Sequence, residues 1–435
     1  MKKKIFICVL IYICVFCYSF FFSTVFGDEI WNYGFSYNIF KGLIPYRDFN
    51  MVITPMYSFI VSFFIKVFGT YLISLHIANS FIVVAIFYYL YRMIGKRAWL
   101  VFPLVIIESY PSYNVLCLLV LFMILFLNES KNIYKDILIG FLVGVMFLTK
   151  QTVGILFLIP MIYYSKSRLK SIICFFIPVV LFIVYLIYYD ALYSFIDYCF
   201  LGLFDFGKNN TILLFLPLEV GSVLFLGYHF LKSKFQNRNV FYILMFQVIV
   251  VPIFDDYHFM LGFIPVFFYF FSIVSFQEFR FKYFVIIVWV ICFYSSIIFH
   301  FESLNYVTNK SSFLYGRNIP EYIEKSVNRI GSYIKDKQND YDYVYFFSAN
   351  AYFVKLSIDY PITKYDMINN GNMGYHGDVK YINEIDTFCS SHKCMFLLYH
   401  YEDKVITQTN KTIVNYVKDT YDKYDKFDVF DVYVN

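Results

Sequence analysis

Asp28 and Glu29 follow the first long apolar stretch of the chain directly. A carboxylate in that position can take a proton from a hydroxyl within hydrogen-bond reach. The same pair would also serve as an acidic cap on a helix end. Arg47 and Asp48, after Pro45 and Tyr46, sit in a turn-like stretch. They can brace a loop, or Arg47 can meet a phosphate through its guanidinium fork. Lys150, in Thr149-Lys150-Gln151-Thr152, lies between two short apolar runs. An ammonium there is costly unless it faces a cavity or a counter-charge. It would suit a lipid phosphate as a point charge, or it snorkels to the interface. Asp255, Asp256 and His258, between Pro252 and Pro265, would suit a sugar or a divalent cation. Four metal ligands are not visible in that motif, and a polar turn between helices reads it equally well. Pro111-Ser112-Tyr113-Asn114 reads as a turn without obvious chemistry, and Asp190, Asp197, Asp205 and Lys208 as an uninformative polar loop.

Two features lie nearer the end. Cys389 and Cys394 bracket Ser390-Ser391-His392-Lys393 in a polar segment, unlike the other seven cysteines, which sit in apolar runs. Outside a membrane they form a short-loop disulfide or stay as two thiols; a zinc site would need more ligands. Asn369-Asn370-Gly371-Asn372-Met373-Gly374-Tyr375 could contact a glycan, and equally suits an Asx/Gly turn.

The elements that must position these residues are mostly apolar. Of 435 residues 60% are hydrophobic and only 15% charged, against about 25% in soluble domains. The mean hydropathy is +0.60. A soluble core cannot absorb this much apolar side chain, whereas a bilayer can, through helices of about 20 residues. Apolar runs fall at 5–26, 51–68, 71–91, 98–109, 112–128, 137–148, 152–164, 171–189, 212–230, 240–254, 259–276 and 283–300. The first is too long for a signal-peptide core and lacks a small-residue cleavage site, so it reads as a retained span.

Lys and Arg collect on the cytoplasmic side of membrane proteins. With the N-terminus inside and 51–68 lying along the outer surface, the inner loops hold sixteen Lys and Arg: Lys2 to Lys4, Arg92 to Arg97, Lys131 and Lys135, Lys166 to Lys170, Lys232 to Arg238, and Arg280 with Lys282. The outer segments before residue 301 hold five: Lys41, Arg47, Lys66, Lys150 and Lys208. If 51–68 crossed, the bias would reverse. The expected architecture is an α-helical polytopic membrane protein of about eleven transmembrane helices over 1–301, with a first outer loop and juxtamembrane helix at 27–70. Residues 302–435 turn polar and alternate helix with strand: helices at 319–336, 379–389 and 411–422, strands at 343–348, 394–399 and 427–434. They are expected to form an extracytoplasmic α/β domain. The spans 98–109 and 137–148 are short and could be broken or tilted. This map puts Asp28 and Glu29, Lys150, and the Asp255–His258 group on one outer face.

On these residues the chain resembles the GT-C superfamily of polyprenyl-phosphate-sugar-dependent glycosyltransferases, which includes protein O-mannosyltransferases and lipid A aminoarabinose transferases. The resemblance rests on Asp28-Glu29 with Trp31, Tyr33-Gly34 and Gly42-Leu43-Ile44-Pro45-Tyr46-Arg47-Asp48-Phe49; on Thr54-Pro55 before a run ending Phe68-Gly69; and on Gly140, Gly144, Leu148-Thr149-Lys150-Gln151-Thr152, Gly154 and Pro160. It covers about the first 300 residues. It implies an inverting transfer, in the cell membrane, from a polyprenyl-phosphate-sugar donor to a glycan, lipid or protein acceptor of the cell envelope. Asp28 would be the base, Glu29 would orient it or the acceptor, and Lys150 with Arg47 would hold the donor phosphate. Asp255, Asp256 and His258 would stay candidates for the acceptor or a divalent ion, and nucleic acid is not an expected partner.

Two other readings stand beside it. An envelope polysaccharide polymerase or ligase would carry large outer loops rich in Arg and His, which are few here. A lipid or sugar transporter would show mid-membrane charges and repeated halves.

Overall fold

The structure is a computed structural model. It describes residues 2–22, 27–108, 110–206, 216–251, 255–274, 283, 285–287, 289–290, 305–347, 351–360, 366, 372–399, 411–428 and 430–435. The membrane-type region is built from α1 (Lys2–Cys17), α2 (Gly27–Phe40), α3 (Met56–Phe68), α4 (Ile73–Ile94), α5 (Ala98–Ile107), α6 (Tyr113–Glu129), α7 (Lys135–Thr149), α8 (Gln151–Tyr164), α9 (Arg168–Tyr188), α10 (Leu192–Ile196), α11 (Leu203–Phe206), α12 (Leu216–Lys232), α13 (Arg238–Phe246) and α14 (Asp256–Ile273). Large apolar side chains such as Leu181, Val184 and Ile187 on α9 and Leu224 on α12 point outward, away from the rest of the chain. An exterior of this kind suits lipid contact.

Among the described residues, two helical stretches are long and apolar enough to cross a bilayer, Ile73–Ile107 and Arg168–Tyr188. The first is not one rod. Gly95 at φ 60 ends α4, and a single 3₁₀ turn, Gly95–Arg97, leads into α5. The Phe87 ring lies 4.5 Å from that of Phe102. Residues fifteen apart would be separated by about 22 Å along a continuous helix, so the chain doubles back. The short 98–109 element is therefore a separate helix of ten residues. Helix α3 has thirteen residues, about 20 Å, less than the roughly 30 Å of a hydrocarbon core. It buries Tyr57, Ser58, Val61 and Ile65 and exposes Phe63, Val67 and Phe68.

Glycines set the geometry around Lys150. A Cβ on Gly140 would sit 2.2 Å from the Ser171 carbonyl oxygen, and one on Gly144 would sit 2.5 Å from that of Phe175. This small-residue stripe lets α7 and α9 touch backbone to backbone. A Cβ on Gly154 would lie 2.2 Å from Phe147 Cα, so α7 and α8 form a hairpin. Lys150 is its apex, in extended conformation at φ −149 and ψ 108.

Beyond residue 305 come α15 (Glu321–Lys337), β1 (Tyr343–Phe347), α16 (Ala351–Ser357), α17 (Gly377–Cys389), β2 (Cys394–Tyr399), α18 (Lys411–Thr420), β3 (Asp422–Phe427) and β4 (Phe430–Val434). The sheet order is β1-β2-β4-β3, with β1 and β2 parallel and the other pairs antiparallel. Side chains alternate across it, as strand geometry requires. Val344, Phe346, Met395, Leu397 and Val432 join Val327, Ile330 and Ile334 of α15 in a core continuous with the helical bundle. Tyr345, Phe347, Phe396 and Leu398 pack on Tyr381, Ile385, Ile413 and Val417 of α17 and α18. Cys389 and Cys394 form a disulfide that ties the end of α17 to the start of β2.

Two expectations need correction here. The helix expected over 411–422 stops at Thr420, and Asp422–Phe427 is a strand that sequence pattern missed. Its residues, DKYDKF, are almost all exposed, so no apolar alternation marks it. It is an edge strand, where charge is the usual protection against unwanted pairing. The third expected strand, 427–434, accordingly begins only at Phe430.

Candidate active site

Helix α2 begins at Gly27, so Asp28 and Glu29 lie in its first turn, where the helix dipole favours negative charge. Adjacent helical positions point about 100° apart, and the two carboxylates meet different surroundings. Glu29 is buried. Its Oε2 accepts from Arg317 Nη2 at 2.9 Å and its Oε1 from Arg317 Nε at 3.2 Å, with His76 Nε2 at 2.7 Å. Ser19 Oγ lies 2.7 Å from His76 Nδ1, and Arg317 Nη1 donates to the Phe20 carbonyl at 2.7 Å. Burial alone would raise the Glu29 carboxyl, but the Arg317 guanidinium and His76 pull it down to about 2.

Asp28 is half-buried and faces another set of groups. Burial pushes its carboxyl above the usual range; His258 and Lys150 act against this and Asp255 adds to it. Thus Asp28, Lys150, Asp255 and His258, from three distant parts of the chain, meet within electrostatic reach. Lys150 is 4% exposed. Its Nζ donates to the Ile249 carbonyl at 2.6 Å and more weakly to Asn114 Oδ1 at 3.4 Å, and it faces the Tyr113 ring at 5.7 Å. No carboxylate is in contact with it among the described residues; Asp255 and Asp28 act from further away. Burial brings its ammonium down to about 8, against the pull of Cys117, Asp255 and Asp28.

Asp255 is the N-cap of α14, accepting from the His258 backbone N–H at 2.8 Å. The same Oδ1 lies 2.8 Å from His258 Nδ1. His258 Nε2 lies 3.2 Å from Asn114 Nδ2. Asn114 was read from sequence only as part of a turn. No local signal marks it, because its partners are 36 and 144 residues away. Gln151, next to Lys150, donates to the carbonyls of Val52 and Cys199, and Thr54 to that of Phe147. These bonds pin the 50–55 loop against the α7–α8 apex.

Other candidates lie elsewhere. Arg47 donates to Asp48 at 2.8 and 3.0 Å, is half-exposed, and faces the Tyr189 ring. These are the contacts of a loop brace, and it is not among the groups that act on Asp28 or Lys150. The side chain of Asp256 lies outside the described residues, as do residues 369–371. Among the described residues, no group of three or more His, Cys, Asp and Glu is arranged to hold a metal ion. The 372–376 stretch is docked: Asn50 Nδ2 donates to the Asn372 carbonyl, Tyr375 N–H to Asp197 and His376 N–H to Asp205. Gly374, at φ 82, lies so close to the Asp197 carboxylate that a Cβ would be 2.2 Å from it. Lys380 completes the contact, 2.8 Å from Asp197.

No protein-family model matches the sequence, and neither does any curated protein. Solved structures do match its fold. ArnT from Cupriavidus metallidurans bound to undecaprenyl phosphate superimposes with a TM-score of 0.58 at 11% identity. ArnT from the same organism in the apo state gives 0.59 at 10% identity. Each match covers 100% of this chain and 98% of that one. At this identity the likeness is one of fold: the chain shares the largely α-helical architecture of ArnT over its whole length.

Proposed function

We propose that the protein is a glycosyltransferase of the cell membrane that moves a sugar from a polyprenyl-phosphate donor to an envelope acceptor on the outer face. One observation carries this reading. Lys150 is a buried cation without a carboxylate in contact, and it shares its surroundings with Asp28, a carboxyl raised by burial. A buried charge without a counter-charge in contact is costly, and an arriving phosphate would supply one. ArnT, the protein of matching fold, was solved with undecaprenyl phosphate bound.

In the proposed reaction Asp28 accepts the proton of the acceptor hydroxyl. The oxygen forms a bond to the anomeric carbon from the side opposite the phosphate. The bond from that carbon to the phosphate oxygen breaks, and the phosphate keeps the electron pair. The configuration inverts. Lys150 steadies the developing charge on the leaving phosphate, commonly the largest single contribution to such a step. Glu29, fixed by Arg317 and His76, anchors the turn of α2 that carries Asp28 and so acts on position rather than on the proton. Arg47 braces its loop, leaving Lys150 as the main phosphate contact.

The same proposal takes the bundle as eleven spans with α3 along the outer surface, residues 302–435 outside, and the N-terminus in the cytoplasm. Supporting it are the length of α3, the doubling back at Gly95, and the Lys and Arg bias.

The test is Asp28→Asn in the full chain. Transfer, read from lipid-linked and envelope glycans of a deletion strain carrying the variant, should be lost while the protein still inserts and unfolds at the parental temperature. Retained transfer would end the assignment of Asp28 as base.

A further inference from the structure

The hydrogen bonds around Lys150 have a direction. The Asp255 carboxylate accepts the proton on His258 Nδ1. With the imidazole neutral, Nε2 is left as an acceptor, and it takes the N–H of Asn114 Nδ2. The amide is thereby turned so that its oxygen, not its nitrogen, faces the ammonium of Lys150. Lys150 can only donate, so the reverse orientation of the amide would set N–H against N–H. Each member of the chain fixes the next, and all donors and acceptors agree in one arrangement. The amide assignment follows from this network.

The Ile249 carbonyl and Asn114 Oδ1 take two of the three N–H bonds of Lys150. The third is left for whatever enters beside Asp28. We infer that Asn114, oriented by the Asp255–His258 pair, is the positioning residue that aims Lys150 at the anionic group of the substrate. Asn114 touches no reacting atom; it acts through the lysine. The inference deepens the glycosyltransferase reading in naming what orients the phosphate contact, and rests on that reading for the identity of the anion. The coupling between Asn114 and Lys150 does not.

The groups that bear on this ammonium are Asp28 on α2, Cys117 and the Tyr113 ring on α6, and Asp255 at the start of α14, with His258 of α14 facing Asn114. Among them Asn114 supplies a side-chain acceptor within hydrogen-bond distance. Removing it should favour the uncharged amine, and a carboxylate in its place should favour the ammonium.

Two measurements on the purified full chain in detergent test this. The first is thermal unfolding against pH, with Lys150→Met as reference, so that the difference between the two profiles reports the titration of Lys150. Asn114→Leu should move that titration to lower pH and Asn114→Asp to higher pH. The second is affinity for farnesyl phosphate. Asn114→Leu should weaken it about tenfold, the effect of losing one hydrogen bond to a charged group, and should have no effect in a Lys150→Met background. Asn114→Gln, which keeps the amide on a side chain one methylene longer, should lose less than Asn114→Leu. A titration that stays put in both Asn114 variants, or an equal loss of affinity without Lys150, would overturn the inference. Failure of the parent protein to bind farnesyl phosphate would instead overturn the functional reading, while the titration data still decide the role of Asn114.

Discussion

Asp28 and Lys150 titrate in opposite senses, and their combination makes a testable pH profile. A base must be deprotonated, so activity should rise with pH through the raised carboxyl of Asp28. A phosphate-binding ammonium must be charged, so activity should fall as pH passes about 8, where burial has brought Lys150. The expected kcat/KM profile is a bell whose alkaline limb belongs to Lys150. Lys150→Arg, which stays charged at any accessible pH, should lower activity overall yet remove that limb. A limb persisting in the arginine variant would assign it to another group. At this scale the sequence was readable where a charge interrupts apolar chain, because such charges are rare enough to stand out. Asn114 gave no such signal, since an amide after Pro-Ser-Tyr fits any turn. Its part emerges only when α6, α14 and the α7–α8 apex are brought together. Arg47 shows the converse: a residue type suited to phosphate, spent on its own neighbour Asp48.

At the scale of elements, glycines do the placing. Gly140 and Gly144 were visible in sequence as part of a pattern, but the pattern does not say what approaches them. The answer is the backbone of α9, through the carbonyls of Ser171 and Phe175. Gly140→Leu should force α7 off α9 and shift the Lys150 apex with it. The expected cost is about 1–3 kcal/mol of stability, read as a lower unfolding temperature in detergent, with donor affinity falling more than expression does. An unchanged unfolding temperature would mean that the two helices separate freely. Apolar helices and buried strands were legible because burial leaves a period in the sequence. The edge strand Asp422–Phe427 was not, because a strand exposed on its outer edge and most of its surface keeps no such period. The same holds for the doubling back at Gly95: one glycine and two basic residues mark it, and only the packing of Phe87 on Phe102 shows its sharpness.

For the whole molecule, sidedness is the property on which the proposed chemistry depends. Single cysteines in place of Lys41 and Lys234 should divide by side. The first should react with an impermeant thiol reagent on intact cells, the second only after the membrane is opened, against a background cleared of other reactive thiols. The reverse pattern would overturn the eleven-span arrangement. Attachment of the sheet-bearing region can be tested too. Its inner face shares a core with the bundle, and Arg317 reaches back to Glu29. Arg317→Leu leaves a buried carboxylate without its main counter-charge and should cost about 3–5 kcal/mol. Because the Glu29 carboxyl is held near 2, the parental pair contributes fully above the ordinary glutamate range and is lost as pH falls toward 2. Stability of Arg317→Leu should lack that acid dependence.

The pairing of Glu29 with Arg317 also imposes a calendar on biosynthesis. The two residues are 288 positions apart. At ribosomal speeds, roughly 15–60 s pass between their emergence. For most of that interval His76, 47 positions after Glu29, is already made, but the guanidinium is not. The turn that carries Asp28 can therefore reach its final form only after Arg317 has been made and has met Glu29. On the proposed function, a chain stopped before residue 305 should enter the membrane, persist and transfer no sugar.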